Sequence, residues 1–318
     1  MNNYQSFIPL IEKKSLVSDP EKFQEIINVT FHKYEYEWYD KLHLEMWQSL
    51  PYQYNLIAED TETIIAGKKN LRLLDIGCGT GLAADMLLTT SIGSSVSEVH
   101  LLDTSAEMLK KAAVKAKKWG KKIKLITGDI KQVYEQYDLI IISSVLHHIP
   151  DLVQFLNNVD QIQSPGGILI TIHDPAEEAL KSELYKQRCE EYILHIKKNH
   201  SQSKKKLFVR AYNKIRSLFK QQNYIDNINR DLLRKKIIKE PLTSHELWSV
   251  TDIHVGNGIG KGLMIEALNN YELISYRTYA FFGELSSNLD PLYQKKEQEL
   301  ILSKDLFGRN FSSVWIKK

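Results

Sequence analysis

The stretch that most constrains this chain is Leu71-Arg72-Leu73-Leu74-Asp75-Ile76-Gly77-Cys78-Gly79-Thr80-Gly81. An apolar run holding one acid, then glycine at every second position, then Leu82-Ala83-Ala84-Asp85-Met86-Leu87-Leu88 reads as strand, tight turn and helix. Glycines let the backbone pass close to a ligand, and their N–H groups, with the N-terminus of the next helix, suit a polar, partly anionic group. Asp75 at the strand end is a candidate acceptor for an ammonium or a shell of water. A dinucleotide fingerprint would need glycine where Leu82 stands, so the spacing argues against a nicotinamide enzyme.

With 318 residues the chain exceeds the ~100–200 typical of one domain, so a core with an insertion or cap is expected. It has no apolar run of ~20 residues, and residues 1–15 lack the basic start and apolar core of a signal peptide, which together imply a reducing, cytoplasmic setting and no membrane partner. Cys78 and Cys189 are the only cysteines and read as free thiols. Cys78 is a small filler of the turn, because no obvious base stands beside it in sequence.

Charge is segregated. Residues 181–240 carry 17 Lys and Arg against 6 Asp and Glu, a net +11, which leaves the remainder at −8 within a total of +3. Such a segment is either a solvated helical cap or a surface for an anionic partner.

Residues 1 to about 65 contain no glycine and read as helical, with Asp19 as N-cap and Pro20 at the first helical position. An aromatic cluster follows: Phe31, Tyr34, Tyr36, Trp38, Tyr39, Trp47, Tyr52 and Tyr54. Beyond the glycine turn, Val99 to Asp103 is a second strand ending in an acid 22 residues past Gly81, close to the ~20 at which an acid grips a ribose diol. Thr104-Ser105-Ala106-Glu107 reads as a capping box for the helix through Met108. Lys121 to Thr127 is a third strand, leading to Gly128-Asp129-Ile130, and Tyr137 to Ile142 is a buried fourth. That strand leads into Ser143-Ser144-Val145-Leu146-His147-His148-Ile149-Pro150-Asp151. Ile168 to Ile172 is a fifth strand ending in His173-Asp174-Pro175, Tyr271 to Phe282 a sixth, and Asn310 to Ile316 a last. Strands alternating with helices give an α/β, doubly wound, mostly parallel sheet. The glycines of 256–262 do not match a P-loop, since no Ser or Thr follows Lys261, and they read as a mobile loop or a connector carrying His254.

In order, the glycine turn with its preceding acid, the acid at 103, the Asp129-Ile130 pair and the segment after the fourth strand resemble the class I S-adenosylmethionine-dependent methyltransferase family. The resemblance implies a Rossmann-like, seven-stranded sheet whose last strand is antiparallel and inserted between the fifth and sixth. It implies Asp75, Gly77, Cys78 and Gly79 at the amino-acid part of the cofactor, Asp103 at the ribose, Thr104, Met108, Asp129 and Ile130 around adenine, and Ser143 and Ser144 near the methionine chain, with S-adenosylhomocysteine as product. It further implies residues 1–65 as an N-terminal helical lid, 66–175 and 263–318 as the core, and 176–262 as a basic helical insertion. Tyr36, Tyr39, His43 and Asp174 are then candidate substrate walls. His147, His148 and His254 are candidate bases, and no metal is called for. The acceptor so implied is a small molecule, methylated on oxygen or nitrogen, with a monomer or homodimer doing the work, and the basic segment suits an anionic one. The alternatives are an RNA methyltransferase using Lys204-Lys205-Lys206 and Arg234-Lys235-Lys236, or a cofactor-binding partner without activity.

Overall fold

The computed structural model describes residues 4, 7–36, 39–200 and 224–318. Its helices begin with α1 (Ile8–Lys14), α2 (Pro20–Glu35), α3 (Tyr39–Leu42) and α4 (Leu44–Ile65). The chain then alternates through β1 (Leu71–Ile76), α5 (Leu82–Thr89), β2 (Val96–Asp103), α6 (Ala106–Ala116), β3 (Lys122–Thr127), β4 (Tyr137–Ser143), α7 (Leu152–Ile162) and β5 (Gln163–Pro175). After β5 come α8 (Glu177–Leu180), α9 (Glu183–His200), a helix α10 through 224–234, α11 (Ser244–Thr251) and α12 (Lys261–Ala267). The chain closes with β6 (Tyr271–Tyr279), α13 (Pro291–Leu302) and β7 (Asn310–Lys317).

The seven strands form one sheet in the order β3-β2-β1-β4-β5-β7-β6, parallel except for β7, which pairs antiparallel with both neighbours. This is the expected α/β arrangement, with the last strand inserted. Strand side chains alternate between faces. Leu73 joins one core with α4, α5, α6 and α13, while Leu74 and Ile76 join the other with α7 and α12. Strand order reverses between β1 and β4, so the crevice at their C-terminal ends is where an open α/β sheet takes a ligand.

A third cluster lies off the sheet. Phe7, Ile11, Phe23, Ile27 and Phe31 from the N-terminal helices pack against Ile225, Ile228, Leu232, Ile238, Leu242, Leu247 and Val250 of the insertion. Within the N-terminal segment α1 and α2 share a core with the insertion, whereas α4 buries Leu50, Tyr54 and Ile57 in the sheet core. Amphipathic spacing predicts that a helix has an apolar face but not which surface covers it.

Several local expectations also change. The N-cap of α6 is Ser105, which accepts from the Met108 amide, so the box at Thr104 does not form. Strand β5 begins at Gln163, five residues early. Strand β6 stops at Tyr279, because Ala280 turns into the left-handed region (φ 63°) and the amides of Ala280 and Phe281 are taken by the buried Glu297 carboxylate. Thr243 and Glu246 do form a capping box on α11, and Asp19 caps α2. Lys204 to Lys206, Trp38, Phe208, Tyr212 and Phe219 lie outside the described residues. Arg234 and Lys235 pair with Asp231, which Lys33 of α2 also contacts. Burial would raise Asp231, but these cations hold it down at about 2. The Lys33–Asp231 pair joins α2 to the insertion, while Arg234 and Lys235 pair with Asp231 at the end of their own helix and stay exposed. Among the described residues no helix is long and apolar enough to cross a membrane.

Candidate active site

At the switch point a cavity of about 410 Å³ opens over the glycine turn. Around it the structure brings together Gly77, Cys78, Gly79, Asp103, Thr104, Met108, Asp129, Ile130, Ser143 and Ser144, with Tyr39, His43, His147 and His148. Asp75, Tyr36, Asp174 and His254 do not line it.

The turn is built differently from the sequence expectation. Its amides are used within the protein: Cys78 N–H donates to Leu102 O at 3.0 Å, Gly79 N–H to Asp103 Oδ2 at 2.8 Å and Gly81 N–H to Cys78 O at 2.7 Å. These three amides are therefore already used, and what the glycines add is close approach of the backbone to the cavity. Gly77, Gly79 and Gly81 all have positive φ (63°, 51° and 81°). A Cβ on Gly77 would lie 2.5 Å from Val145 Cγ2, whereas one on Gly79 would meet no atom within 4 Å. The vacant volume beside Gly79 belongs to the cavity wall, so Gly79→Ala should weaken S-adenosylhomocysteine binding by about tenfold or more while costing the fold only ~1–2 kcal/mol of left-handed strain. Calorimetry together with a thermal melt checks this, and unchanged affinity would count against occupation of that space.

Asp103 both braces the turn and faces the cavity. Its Oδ1 accepts from Ser105 N–H at 2.7 Å, which fixes the entry into α6. Burial raises its pKa, against the lowering pull of these two amides. Asp75 plays another part: it is buried beneath the turn, with Oδ2 accepting from Ala84 N–H at 3.1 Å at the start of α5. Its Oδ1 has no hydrogen-bond partner, and burial pushes the carboxyl up to about 8. The folded state therefore keeps a proton that the unfolded chain loses near pH 4. Stability is held at low pH and lost as pH rises toward about 8, so the melting temperature should fall less between about pH 5 and 8 in Asp75→Asn than in the native protein.

The loop after β4 carries two histidines with opposite behaviour. His147 donates from its backbone and from Nδ1 to Asp174 Oδ1, at 3.1 and 2.7 Å. Burial drives its pKa well below the ordinary value, and His148 pushes the same way. Asp174, on β5, is fully buried and raised by burial to about 7. His148 Nδ1 donates to Thr251 O at 2.8 Å and sits 3.2 Å from Asp252. Burial opposes its charge, yet Asp252 more than offsets this and the pKa ends raised. The backbone oxygen of His148 accepts from Gln24 of α2, so this residue ties the cap to the core. His147, His148 and Asp252 also place ligating atoms within 4.8 Å of one another. Neither histidine caps α7, whose N-cap is Asp151.

His254 is not aimed at the cavity. Its amide donates to His147 O and its Nε2 to Ile149 O, at 3.0 and 2.9 Å. The glycine-rich loop around it is docked: Ile259 bridges Ala176, and a Cβ on Gly258 would lie 2.5 Å from Glu177 N. His254 thus props the His147 backbone and does not line the cavity. Cys78 is buried and its thiol pKa raised by that burial, as suits a filler. Helix α3 is latched to the turn by Thr80 Oγ1 donating to Asp40 Oδ1 at 2.6 Å, which holds Tyr39 and His43 over the cavity. Tyr36 instead packs on Lys111.

Sequence reading missed Asn28 and His32 of α2, and Trp248 and Asp252 at α11, and placed Phe31 only within the aromatic cluster; all five lie in the cavity wall. The signal was present, since 28, 31 and 32 share a helix face, as do 248 and 252. Asn28 Oδ1 is buried there without a hydrogen-bond partner, an acceptor waiting for a ligand donor. A nucleoside-bearing sulfonium, with amino and hydroxyl donors, fits that atom, the Asp103 carboxylate and the open face of Gly79.

A family model described as a methyltransferase domain matches residues 67–232. A ubiquinone biosynthesis O-methyltransferase of Rickettsia prowazekii is 32% identical over 126 residues, covering 39% of this chain and 47% of that protein. One of Vibrio atlanticus is 31% identical over 121 residues, covering 37% and 47%. The chain thus spans about half the length of these curated relatives. Among solved structures, a magnesium protoporphyrin IX methyltransferase of Synechocystis with bound S-adenosylhomocysteine aligns at 13% identity and TM-score 0.44, over 84% of this chain and 83% of that one.

Proposed function

We propose, because this chain belongs to the methyltransferase domain family, that it is an S-adenosylmethionine-dependent methyltransferase acting on a small-molecule acceptor. The observation that carries this reading is one cavity at the switch point walled by Gly77 to Gly79, Asp103, Asp129, Ile130, Ser143 and Ser144. In it Asp103 would hold the ribose diol, Thr104, Met108, Asp129 and Ile130 the adenine, and Ser143 with the carbonyls of the turn the amino-acid end. Residues 66–175 and 263–318 with α4 form the cofactor-binding core under this reading, and α1, α2, α10 and α11 the cap.

When bound, the cofactor supplies a methyl group already activated by its sulfonium. The chain's own tasks are to orient the acceptor and to keep water out. Tyr39, His43 and Phe31 would form the cover. For a hydroxyl acceptor, His147 would take the proton: Asp174 holds Nδ1–H, leaving the other ring nitrogen as the base. Burial, with His148 pushing the same way, keeps His147 neutral.

Calorimetry with S-adenosylmethionine and S-adenosylhomocysteine tests the reading directly. Uptake of both, followed by transfer of a labelled methyl group to an acceptor, is the expected result. A purified chain that binds neither would overturn it.

A further inference from the structure

Successive side chains of a short turn ordinarily diverge, yet the rings of His147 and His148 lie 4.0 Å apart, and Asp252, at the end of α11, closes on His148 at 3.2 Å. Each of the three offers one ligating atom, all within 4.8 Å of one another, and all three residues line the first cavity. We propose that His147, His148 and Asp252 form a site for one divalent cation of the zinc class. Resting on the function proposed above, an ion held there halts methyl transfer, because it occupies the nitrogen of His147 that would otherwise take the proton.

A histidine that ligates a metal commonly gives its other ring N–H to a carboxylate or a backbone carbonyl, which fixes the tautomer and the ring. Both histidines are held in this way. His147 Nδ1 is tied to Asp174 Oδ1 at 2.7 Å and His148 Nδ1 to Thr251 O at 2.8 Å, which leaves Nε2 of each ring for a ligand. The backbone beneath them is anchored too. The His147 carbonyl accepts from the His254 amide at 3.0 Å, the His148 carbonyl accepts from Gln24 Nε2 at 3.1 Å, and the Asp252 amide donates to Trp248 O at 2.8 Å. Ligand atoms on a tetrahedral zinc stand about 3.3 Å apart. Closing the trio from at most 4.8 Å thus asks for side-chain rotation on a backbone already in place, with the ion taking over from the direct His148–Asp252 contact.

Two imidazoles and one carboxylate form a nitrogen-rich donor set, which suits Zn²⁺ and Co²⁺ and serves Mg²⁺ poorly, since that ion takes oxygen ligands. Three protein ligands leave a fourth position open to the cavity. Ligating histidines are neutral, so any proton on them is released to solvent as the ion enters. One lone pair on His147 cannot both hold an ion and accept a proton from a hydroxyl acceptor. The metal-free chain is then the active form.

The test titrates the full chain, stripped of metal by a chelator, with zinc chloride and magnesium chloride by calorimetry and with cobalt chloride by visible absorption. One equivalent of Zn²⁺ should bind, Mg²⁺ should bind about 100-fold more weakly or less, and Co²⁺ should show the bands of a four-coordinate ion with nitrogen ligands. Asp252→Ala, at a partly exposed position, and His148→Gln should each weaken Zn²⁺ by about tenfold or more, and Asp174→Asn, which acts only through His147, by ~10–100-fold. His195→Ala, which removes a histidine paired with Asp290 on α9, should leave uptake unchanged. A melt of each variant separates a lost ligand from a lost fold. Absence of Zn²⁺ binding, equal affinity for Mg²⁺, or uptake that survives Asp252→Ala would each overturn the site, the last by marking an ion held adventitiously by other histidines. Methyl transfer should fall by half at the Zn²⁺ concentration that half-fills the site and return with chelator, and undiminished transfer at saturation would overturn the inhibitory role. Failure of S-adenosylhomocysteine uptake removes the underlying function instead, and the zinc titration still decides the site.

Discussion

Asp103→Ala should weaken S-adenosylhomocysteine binding by about 100-fold or more, the largest effect expected of a single change in the first cavity. The loss has two sources. The carboxylate accepts from Gly79 and Ser105 amides, at 2.8 and 2.7 Å, and each such charge-assisted bond is worth ~1.5–3 kcal/mol. Without it the glycine turn loses the strut that sets its distance from β2, and two amides are left unanswered. Under the proposed function the same carboxylate, in the cavity wall, would also accept from a ribose diol. Asp103→Asn retains one acceptor oxygen and should fall between the two, at about tenfold. Calorimetry measures both, with a melt to separate affinity from folding, and an alanine variant within about threefold of the native protein would remove Asp103 from ligand binding.

His147→Ala should lower kcat toward a hydroxyl acceptor of the class proposed above by ~10²–10⁴, with S-adenosylhomocysteine affinity changed by less than about threefold. The pH profile carries the more specific signature. Asp174 is raised to about 7, so above that pH it is a carboxylate that accepts Nδ1–H and leaves the far nitrogen of His147 unprotonated. Below it the carboxyl is neutral, holds Nδ1–H less firmly and leaves the far nitrogen a weaker base. Turnover should therefore rise with pH through a midpoint near 7. In Asp174→Asn that limb should disappear along with most of the rate, because an amide can enforce the wrong tautomer. Native turnover in His147→Ala across about pH 6 to 8 would place proton removal elsewhere.

Much of the fold was legible because it is written at short range. Leu71 to Gly81 announces a strand and a turn that only glycine accommodates, and the three positive φ angles there show why. The acid at 103 was found by its distance from that turn, and the inserted antiparallel β7 followed from the resemblance. Other features were not accessible this way. Asp75 and Asp103 look alike as strand-end acids, yet one is buried beneath the turn and the other lies in the cavity wall. His147 and His148 are neighbours in sequence, but their environments drive their titration in opposite directions. His254 read as a base because sequence does not show that its ring nitrogen is spent on the Ile149 carbonyl.

Sequence by itself determined the order of strands and helices, the apolar face of each and the glycine turn at the sheet's reversal point, because these depend on periodicity and backbone sterics within a few residues. Tertiary structure alone decided that α2 and the insertion share one cap core, that Asp174 stands behind His147, and that Asp252 closes on His147 and His148. Those juxtapositions join segments tens to hundreds of residues apart. They are set by which buried surfaces fit one another, a property of the whole packed chain that no local pattern encodes.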